Sequence, residues 1–391
     1  MRHFRAAGLE EEWFSRELRR RGVPYVATAA RRLGLGALAS RLFSRLGVLS
    51  GGDLDDARTP PRYVRAIAAA DGVDLEGHRW GLSAKGHYAS QKALFFLYRG
   101  HETQPDVVVK VSQDPSRSHL LENAYLGLRR LEATEFGAAG RLPRPRFQGI
   151  IRGLALTGEE AVEGTAFVRR SPGGPACPYA DDAVAALIEL GRNSVGRCPS
   201  AQVAEVLAEF LEQFLALYRP SSDAGQHLQG QIEALSAAGL DIPLVFMHGD
   251  PGLQNLVIRS DGRLSLLDWE NAEPAGMPLW DLFHFLRAYV VWAGRQRGLA
   301  SRSWAIKEHY LEGSGLTDLL IASVERYRHE LDLDSALVAP LFWTHLLVQA
   351  LREAPRLDAS GLHQGHQLKV LELIVAQRHS GVLGRILQQR S

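Results

Sequence analysis

One stretch of this sequence constrains the fold more than any other. The apolar run Val245-Phe246-Met247 breaks into the polar segment His248-Gly249-Asp250-Pro251-Gly252-Leu253-Gln254-Asn255, and a second apolar run from Leu256 leads to Leu266-Leu267-Asp268-Trp269-Glu270. A strand that delivers a polar loop, followed by a strand that delivers a carboxylate, sets Asp250, Asn255 and Asp268 on two neighbouring loops. Such strands must be covered by other parts of the chain. With 391 residues, 46% of them apolar, the protein can bury a large core and is long enough for two or three domains.

The chain changes texture along its length. The first sixty residues look helical and break at Ser50-Gly51-Gly52-Asp53 and Thr59-Pro60-Pro61. From Trp80 to Val162 the pattern is of strands. Lys92-Ala93-Leu94-Phe95-Phe96-Leu97-Tyr98 and Val107-Val108-Val109-Lys110-Val111 flank a polar link and read as a hairpin. Asp114 and Pro115 then open a helix with Leu121, Ala124, Tyr125, Leu128 and Leu131 on its apolar face. Two further strands follow at 147–151 and 154–156. After Gly164 the expectation is amphipathic helices near 180–193, 201–218, 282–296, 318–331 and 336–352, interrupted by a strand pair around 244–247 and 256–268.

Charge and cysteine content exclude several classes of partner. A net charge of +1 argues against a dedicated nucleic-acid binder, which needs a basic surface. Residues 1–47 nevertheless hold ten Arg against four acidic residues. Within them, residues 31–46 form a basic amphipathic helix of a type that either lies on a membrane surface or packs on its own domain, and packing is the expectation. No apolar run is long enough to span a bilayer, and no signal peptide opens the chain. Cys177 and Cys198 are the only cysteines and lack metal-ligand spacing, so a reducing, cytoplasmic location is expected. The chain has only five Lys against forty Arg, which draws notice to any Lys held at a defined place.

The chemistry that needs this set of residues is phosphoryl transfer. One carboxylate must hold an acceptor hydroxyl in line and take its proton, and oxygen ligands must fix Mg²⁺ against a triphosphate. Asp250 is the candidate base, and Asn255 and Asp268 are the candidate metal ligands. Each taken alone is explained as a turn or strand-end residue. The three in this order are not.

His248-Gly249-Asp250 through Asn255, with Asp268-Trp269-Glu270 behind it and Pro278-Leu279-Trp280-Asp281-Leu282 as the next block, resembles the aminoglycoside phosphotransferase and choline kinase family. The resemblance covers roughly residues 61–350. It implies an α+β, two-lobed protein-kinase-like fold: a small, mostly antiparallel lobe with one helix at 61–162, a mainly helical lobe at 163–391, and an N-terminal helical extension at 1–60. It also implies ATP or GTP and Mg²⁺ as cofactors, and a small hydroxylated molecule as acceptor. Asp281 would hydrogen-bond back to the catalytic loop. His248, two residues before the base, is a candidate catalytic residue whose expected role is to brace the loop.

The same resemblance places a phosphate-anchoring Lys at Lys110, at the end of a strand, with Glu122 on the following helix as its partner. The nucleotide-covering loop falls at 83–90, with Ser83, Gly86 and Ser90 as its candidate contacts. It has one glycine where protein kinases have three. The inter-lobe hinge would lie near Glu160 and Val162, whose backbone would bind the base. Two other functions stand beside the small-molecule kinase. A nucleotide-binding pseudokinase is disfavoured by the intact set of Lys110, Glu122, Asp250, Asn255 and Asp268. A protein kinase is disfavoured because only twelve residues separate Asp268 from Asp281, too few for an activation segment.

Overall fold

The computed structural model describes residues 59–84, 92–298, 301–357 and 361–389. The expected N-terminal extension up to residue 58, the basic helix at 31–46, and Gly86 and Ser90 lie outside the described residues. The rest divides into two compact units. The first runs to Glu163 and also contains Asp268–Asn271, and the second comprises Gly164–Leu267 and everything from Ala272 onward. The return of Asp268–Asn271 to the first unit is a feature that a single cut at residue 163 does not contain.

The first unit is built on one antiparallel sheet, β1 (His78–Ala84), β2 (Lys92–Arg99), β3 (Val107–Ser112), β4 (Pro145–Ile151) and β5 (Leu154–Glu160), in the order β1-β2-β3-β5-β4. Ser83 falls on β1. Alternation of side chains along a strand decides which residues share a face. Ala93, Phe95 and Leu97 of β2 and Val107, Val109 and Val111 of β3 are buried with Phe147 and Leu156 against Tyr63, Val64 and Ala68 of helix α1 (Arg62–Ala70). Lys110 therefore projects from the opposite face. Between β3 and β4, Asp114 accepts the Ser116 N–H at 3.0 Å and caps a 3₁₀ turn with Pro115 at its first position. Helix α2 (Ser118–Glu132) follows, burying Leu121, Ala124, Leu128 and Leu131. The segment 268–271 is anchored to this unit by Trp269, fully buried edge-on to Phe136, and by Asn123, whose amide donates to the Glu270 carbonyl at 3.0 Å.

The second unit is mainly helical. Its longer helices are α3 (Pro178–Gly191), α4 (Ser200–Tyr218), α5 (Ser222–Ala237), α6 (Trp280–Gln296), α7 (Gly315–Glu330), α8 (Val338–Glu353) and α9 (His366–Ala376). Two small antiparallel sheets interrupt them, and here the sequence expectation of a 244–247/256–268 strand pair is corrected. The strand ending at the polar loop, β8 (Asp241–Met247), pairs with β7 (Ser194–Pro199) and β11 (Glu273–Gly276). The strands β9 (Leu256–Ile258) and β10 (Leu264–Leu266) pair with each other, and β9 pairs with the short β6 (Thr165–Ala166). β8 reads as a continuous apolar run because it is flanked on both edges and buried along nearly all its length. Helix α8 is buried from Val338 to Ala350. Tyr218 donates its hydroxyl to the Ala350 carbonyl at 2.7 Å, and the Trp280 indole donates to the Leu341 carbonyl at 3.0 Å, tying α4 and α6 to it.

Candidate active site

The first unit gathers charge on the sheet face opposite α1. Lys110, 6% exposed on β3, forms an ion pair with Glu159 of the neighbouring strand β5 at 2.9 Å. Lys92, at the start of β2, binds Asp268 at 2.5 Å and Glu270 at 2.6 Å. Burial opposes the charge on Lys110, but the carboxylates of Glu159, Asp268 and Glu270 outweigh it and raise the Lys110 pKa. Glu270 is raised as well, by burial first and by the neighbouring Asp268 carboxylate second, with Lys92 acting against both. Asp268 holds a positive φ of 70°, a left-handed conformation that Asp adopts more readily than most residues and that is concentrated at functional sites.

The expected partner of Lys110 is corrected by this geometry. Glu122 makes no ion pair or side-chain hydrogen bond among the described residues. The register explains the substitution of partners: Lys110 lies opposite Thr157, and Glu159 follows two residues on, so its side chain emerges on the same face as that of Lys110. Glu160 ends β5 half exposed, with its carboxylate 3.9 Å from Arg144, and Val162 lies two residues further, next to the boundary of the unit.

In the second unit, β8 hands the chain to a loop held almost wholly by backbone contacts. His248 is fully buried. Its Nδ1 accepts the Asp250 N–H at 3.2 Å, which leaves the proton on Nε2 to be donated to the Leu267 carbonyl at 2.9 Å. Both ring nitrogens are therefore spent on backbone, the geometry of a brace. Asp281, in the first turn of α6, accepts the His248 N–H at 2.6 Å and the Gly249 N–H at 3.0 Å. Burial pushes its carboxyl up to about 7 against those two donors. Arg352 of α8 donates to the Gly249 carbonyl at 3.0 Å and to Glu273 at 2.7 Å. Asn255 donates its amide to the Asp250 carbonyl at 2.9 Å.

Asp250 itself is the exposed member of this group. Its carboxylate is 36% exposed and lies 3.2 Å from Nε2 of His284 on α6. Burial lowers the His284 pKa although the Asp250 hydrogen bond raises it, so the ring is neutral and donates its Nε2 proton to the carboxylate. A carboxylate that is oriented by a neutral donor and still reachable by a ligand has the attributes of a general base.

The sequence model of a phosphotransferase enzyme family matches residues 89–313, more than half of the chain. The chain belongs to the phosphotransferase enzyme family. No curated protein matches it. Solved structures with similarity include the aminoglycoside phosphotransferase APH(3'')-Id from Streptomyces rimosus, at 15% identity over 72% of this chain and 96% of that one, with a TM-score of 0.42. A choline/ethanolamine kinase family protein from Mesorhizobium loti is 17% identical over 83% and 97%, with a TM-score of 0.44. The choline kinase LicA from Streptococcus pneumoniae is 14% identical over 80% and 98%, also at 0.44.

The α+β architecture of this phosphotransferase, a small antiparallel-sheet unit and a larger helical one, is the protein-kinase-like one expected from the sequence. Each unit holds oxygen donors of a kind that fits Mg²⁺. The Asn255 amide nitrogen is fixed on the Asp250 carbonyl, and its oxygen accepts no hydrogen bond among the described residues. Around Asp268, three carboxylates face two ammonium groups, an excess of negative charge that a hard divalent cation neutralises. No cluster of three or more His, Cys, Asp or Glu is grouped for a metal among the described residues, and Mg²⁺ needs none, since phosphate oxygens and water complete its shell. Sequence reasoning missed Lys92, Glu159, Glu270, His284 and Arg352. The scarcity of Lys was a signal for Lys92, and the pairing of Glu270 with Asp268 two residues apart was another.

Proposed function

We propose that this phosphotransferase transfers the γ-phosphoryl group of ATP or GTP to a hydroxyl of a small metabolite, with Asp250 as the base. The observation that carries the reading is the contrast at the loop: Asp250 keeps its carboxylate accessible while His248, Asn255 and Asp281, which position it, are buried. Asp250 orients the acceptor hydroxyl and takes its proton as the new P–O bond forms. Lys110 holds the phosphates, and Glu159 keeps its ammonium in place. Asn255 and Asp268 would hold Mg²⁺, which neutralises charge on the triphosphate. His248 and Asp281 fix the loop, so the rate comes from positioning and charge neutralisation. Glu160 and Val162 offer backbone groups to the nucleotide base, and Ser83, Gly86 and Ser90 cover its phosphates. Asp281 bears on loop geometry, so its loss acts on turnover more than on nucleotide affinity.

Cys177 and Cys198 are both unpaired thiols, and no described helix is long and apolar enough to cross a membrane, features that suit an enzyme supplied with cytoplasmic ATP. The test is Mg²⁺-dependent ATP consumption by wild type and Asp250→Asn across aminoglycosides, aminoalcohols, hydroxy amino acids, hydroxy acids and sugars. One acceptor should stimulate turnover, and the variant should lose it by roughly 10²- to 10⁴-fold. Full turnover by Asp250→Asn would remove Asp250 from the base role. Tight nucleotide binding without turnover on any acceptor would favour a pseudokinase.

A further inference from the structure

Around Asp250 the second unit buries polar side chains that, among the described residues, lack a partner or lack a counter-ion. Arg287, one helical turn beyond His284 on α6, is 8% exposed. Its guanidinium donates to the side-chain oxygen of Gln367, a neutral group, and among the described residues no carboxylate lies within ion-pair distance. Burial pulls its pKa down to about 10, with Tyr310, Glu353 and Asp250 acting the other way from longer range. On α8, His345 is 1% exposed, and among the described residues neither of its ring nitrogens has a partner; nor does Nδ1 of His284, whose ring centroid is 6.2 Å from that of His345. His345, Gln349 and Arg352 recur at i, i+4 and i+7 on one face of α8. A helix buried along this much of its length is ordinarily apolar all round.

Each of these groups costs stability as it stands, and a buried guanidinium without a counter-ion costs most. Nearby carboxylates do not relieve it. Glu353 accepts the Gln367 N–H at 2.8 Å, and Glu273 is taken by Arg352. Asp250 is held by His284. A cationic acceptor at this base would set its ammonium against Arg287. An acceptor carrying an oxyanion would supply the partner that Arg287 lacks, and the planar guanidinium matches a carboxylate or phosphate with two parallel hydrogen bonds.

We propose that the acceptor of this phosphotransferase is a small hydroxylated molecule bearing a carboxylate or phosphate group, with the hydroxyl at Asp250 and the oxyanion on Arg287. The inference rests on the phosphotransferase reading of Asp250 and adds the acceptor's class to it. The acceptor oxygen bonds to the γ-phosphorus, the bond from that phosphorus to the bridging oxygen breaks, the nucleoside diphosphate leaves, and the hydroxyl proton passes to Asp250. His284, which holds the Asp250 carboxylate at 3.2 Å, and Arg287 stand at i and i+3 of α6, roughly 5–6 Å apart at Cβ, and the Asp250 carboxylate is close enough to act on the Arg287 charge, so a small acceptor suffices to reach both. His345, whose ring centroid lies 6.2 Å from that of His284, can donate to the same oxyanion, and Gln349 follows it on the same face of α8.

Isothermal titration of the full chain without nucleotide tests this, using glycerate and glycerol 3-phosphate as probes, and glycerol and choline as neutral and cationic controls. An anionic probe is expected to bind wild type, and Arg287→Gln should weaken it by about 10- to 100-fold while leaving Mg·ADP affinity within about twofold. Binding of choline alone, or of neither anion by a wild type that binds Mg·ADP, overturns the inference. So does an Arg287→Gln variant that loses Mg·ADP but keeps the anion, since the arginine would then serve the nucleotide. Should Arg287→Gln fail to fold, Gln349→Glu places a carboxylate on the same face and should abolish anion binding with Mg·ADP retained; retained anion binding overturns the inference. A wild type that binds the anion but no Mg·ADP refutes the phosphotransferase reading itself, and the acceptor assignment with it.

Discussion

Replacing Asp281 with Asn tests how the catalytic loop is held. In the native protein one buried carboxylate accepts two consecutive backbone N–H groups, from His248 at 2.6 Å and Gly249 at 3.0 Å. Asn can offer an oxygen to one of them and must turn its own NH₂ toward the other. The variant loses one hydrogen bond to this carboxyl and leaves one buried N–H unsatisfied, a cost of about 1.5–3 kcal/mol at pH 5.5. The pH dependence has a definite sign. Burial raises the folded-state carboxyl from 3.8 to about 7, so its contribution to stability is full below 3.8 and is lost as pH rises through about 7. The stability gap between wild type and Asp281→Asn should therefore be smallest above pH 7 and widen on acidification. Urea unfolding followed by tryptophan fluorescence at pH 8 and pH 5.5 reads both quantities. A change under about 0.5 kcal/mol, or a gap that narrows toward low pH, would refute the reasoning. The same substitution loosens the peptide before Asp250, and turnover should fall by about one to two orders of magnitude with nucleotide affinity retained.

Two further substitutions probe packing and buried titration. Gly158 on β5 lies opposite Phe147 of β4, and a methyl group there would fall within the aromatic ring, so Gly158→Ala should cost about 1–3 kcal/mol in a denaturation midpoint, with partial recovery in the double variant Gly158→Ala/Phe147→Leu. Burial lowers the pKa of His345 well below its ordinary value, and burial pulls His227 and His366 down to about 4. A depressed imidazole supports the fold above its unfolded pKa of 6.5, and that support is lost as pH falls toward the folded value. The melting temperature should therefore drop between pH 7 and pH 5, and His345→Leu should shed part of that slope; an unchanged slope would show that His345 is solvated.

The residues legible in the sequence are those whose role is local. Asp250 and Asn255 sit five apart on one loop, and the contact between them, Asn255 amide to Asp250 carbonyl, closes within that loop. The β2–β3 hairpin and the Asp114–Pro115 helix start are likewise short-range, and both occur where alternation and capping chemistry place them. The pairing of β8 was not legible because its partners carry no strand signal. β7 reads Ser-Val-Gly-Arg-Cys-Pro and β11 reads Glu-Pro-Ala-Gly, sequences that look like turns. Gly276 of β11 lies where any side chain would meet Met247, so the close approach to β8 selects a residue that weakens the strand pattern.

Charge partners escaped for a different reason. The family resemblance sets Lys110 beside a helix carboxylate at Glu122, yet the cross-strand diagonal gives it Glu159, and the partners of Lys92 lie more than 170 residues away. An ion pair between distant segments leaves no periodic trace. Polar residues inside an apolar helix do leave one. His345 and Gln349 interrupt the buried stretch of α8 one turn apart, and the partly exposed Arg352 continues their face one turn further on. Arg352 is bound to the Gly249 carbonyl and to Glu273, whereas the ring nitrogens of His345 have no partner among the described residues, so on this face it is His345 whose polarity packing within the chain does not explain. That face reaches the catalytic loop through Arg352 at the Gly249 carbonyl, and the His345 ring lies 6.2 Å from that of His284, which holds Asp250.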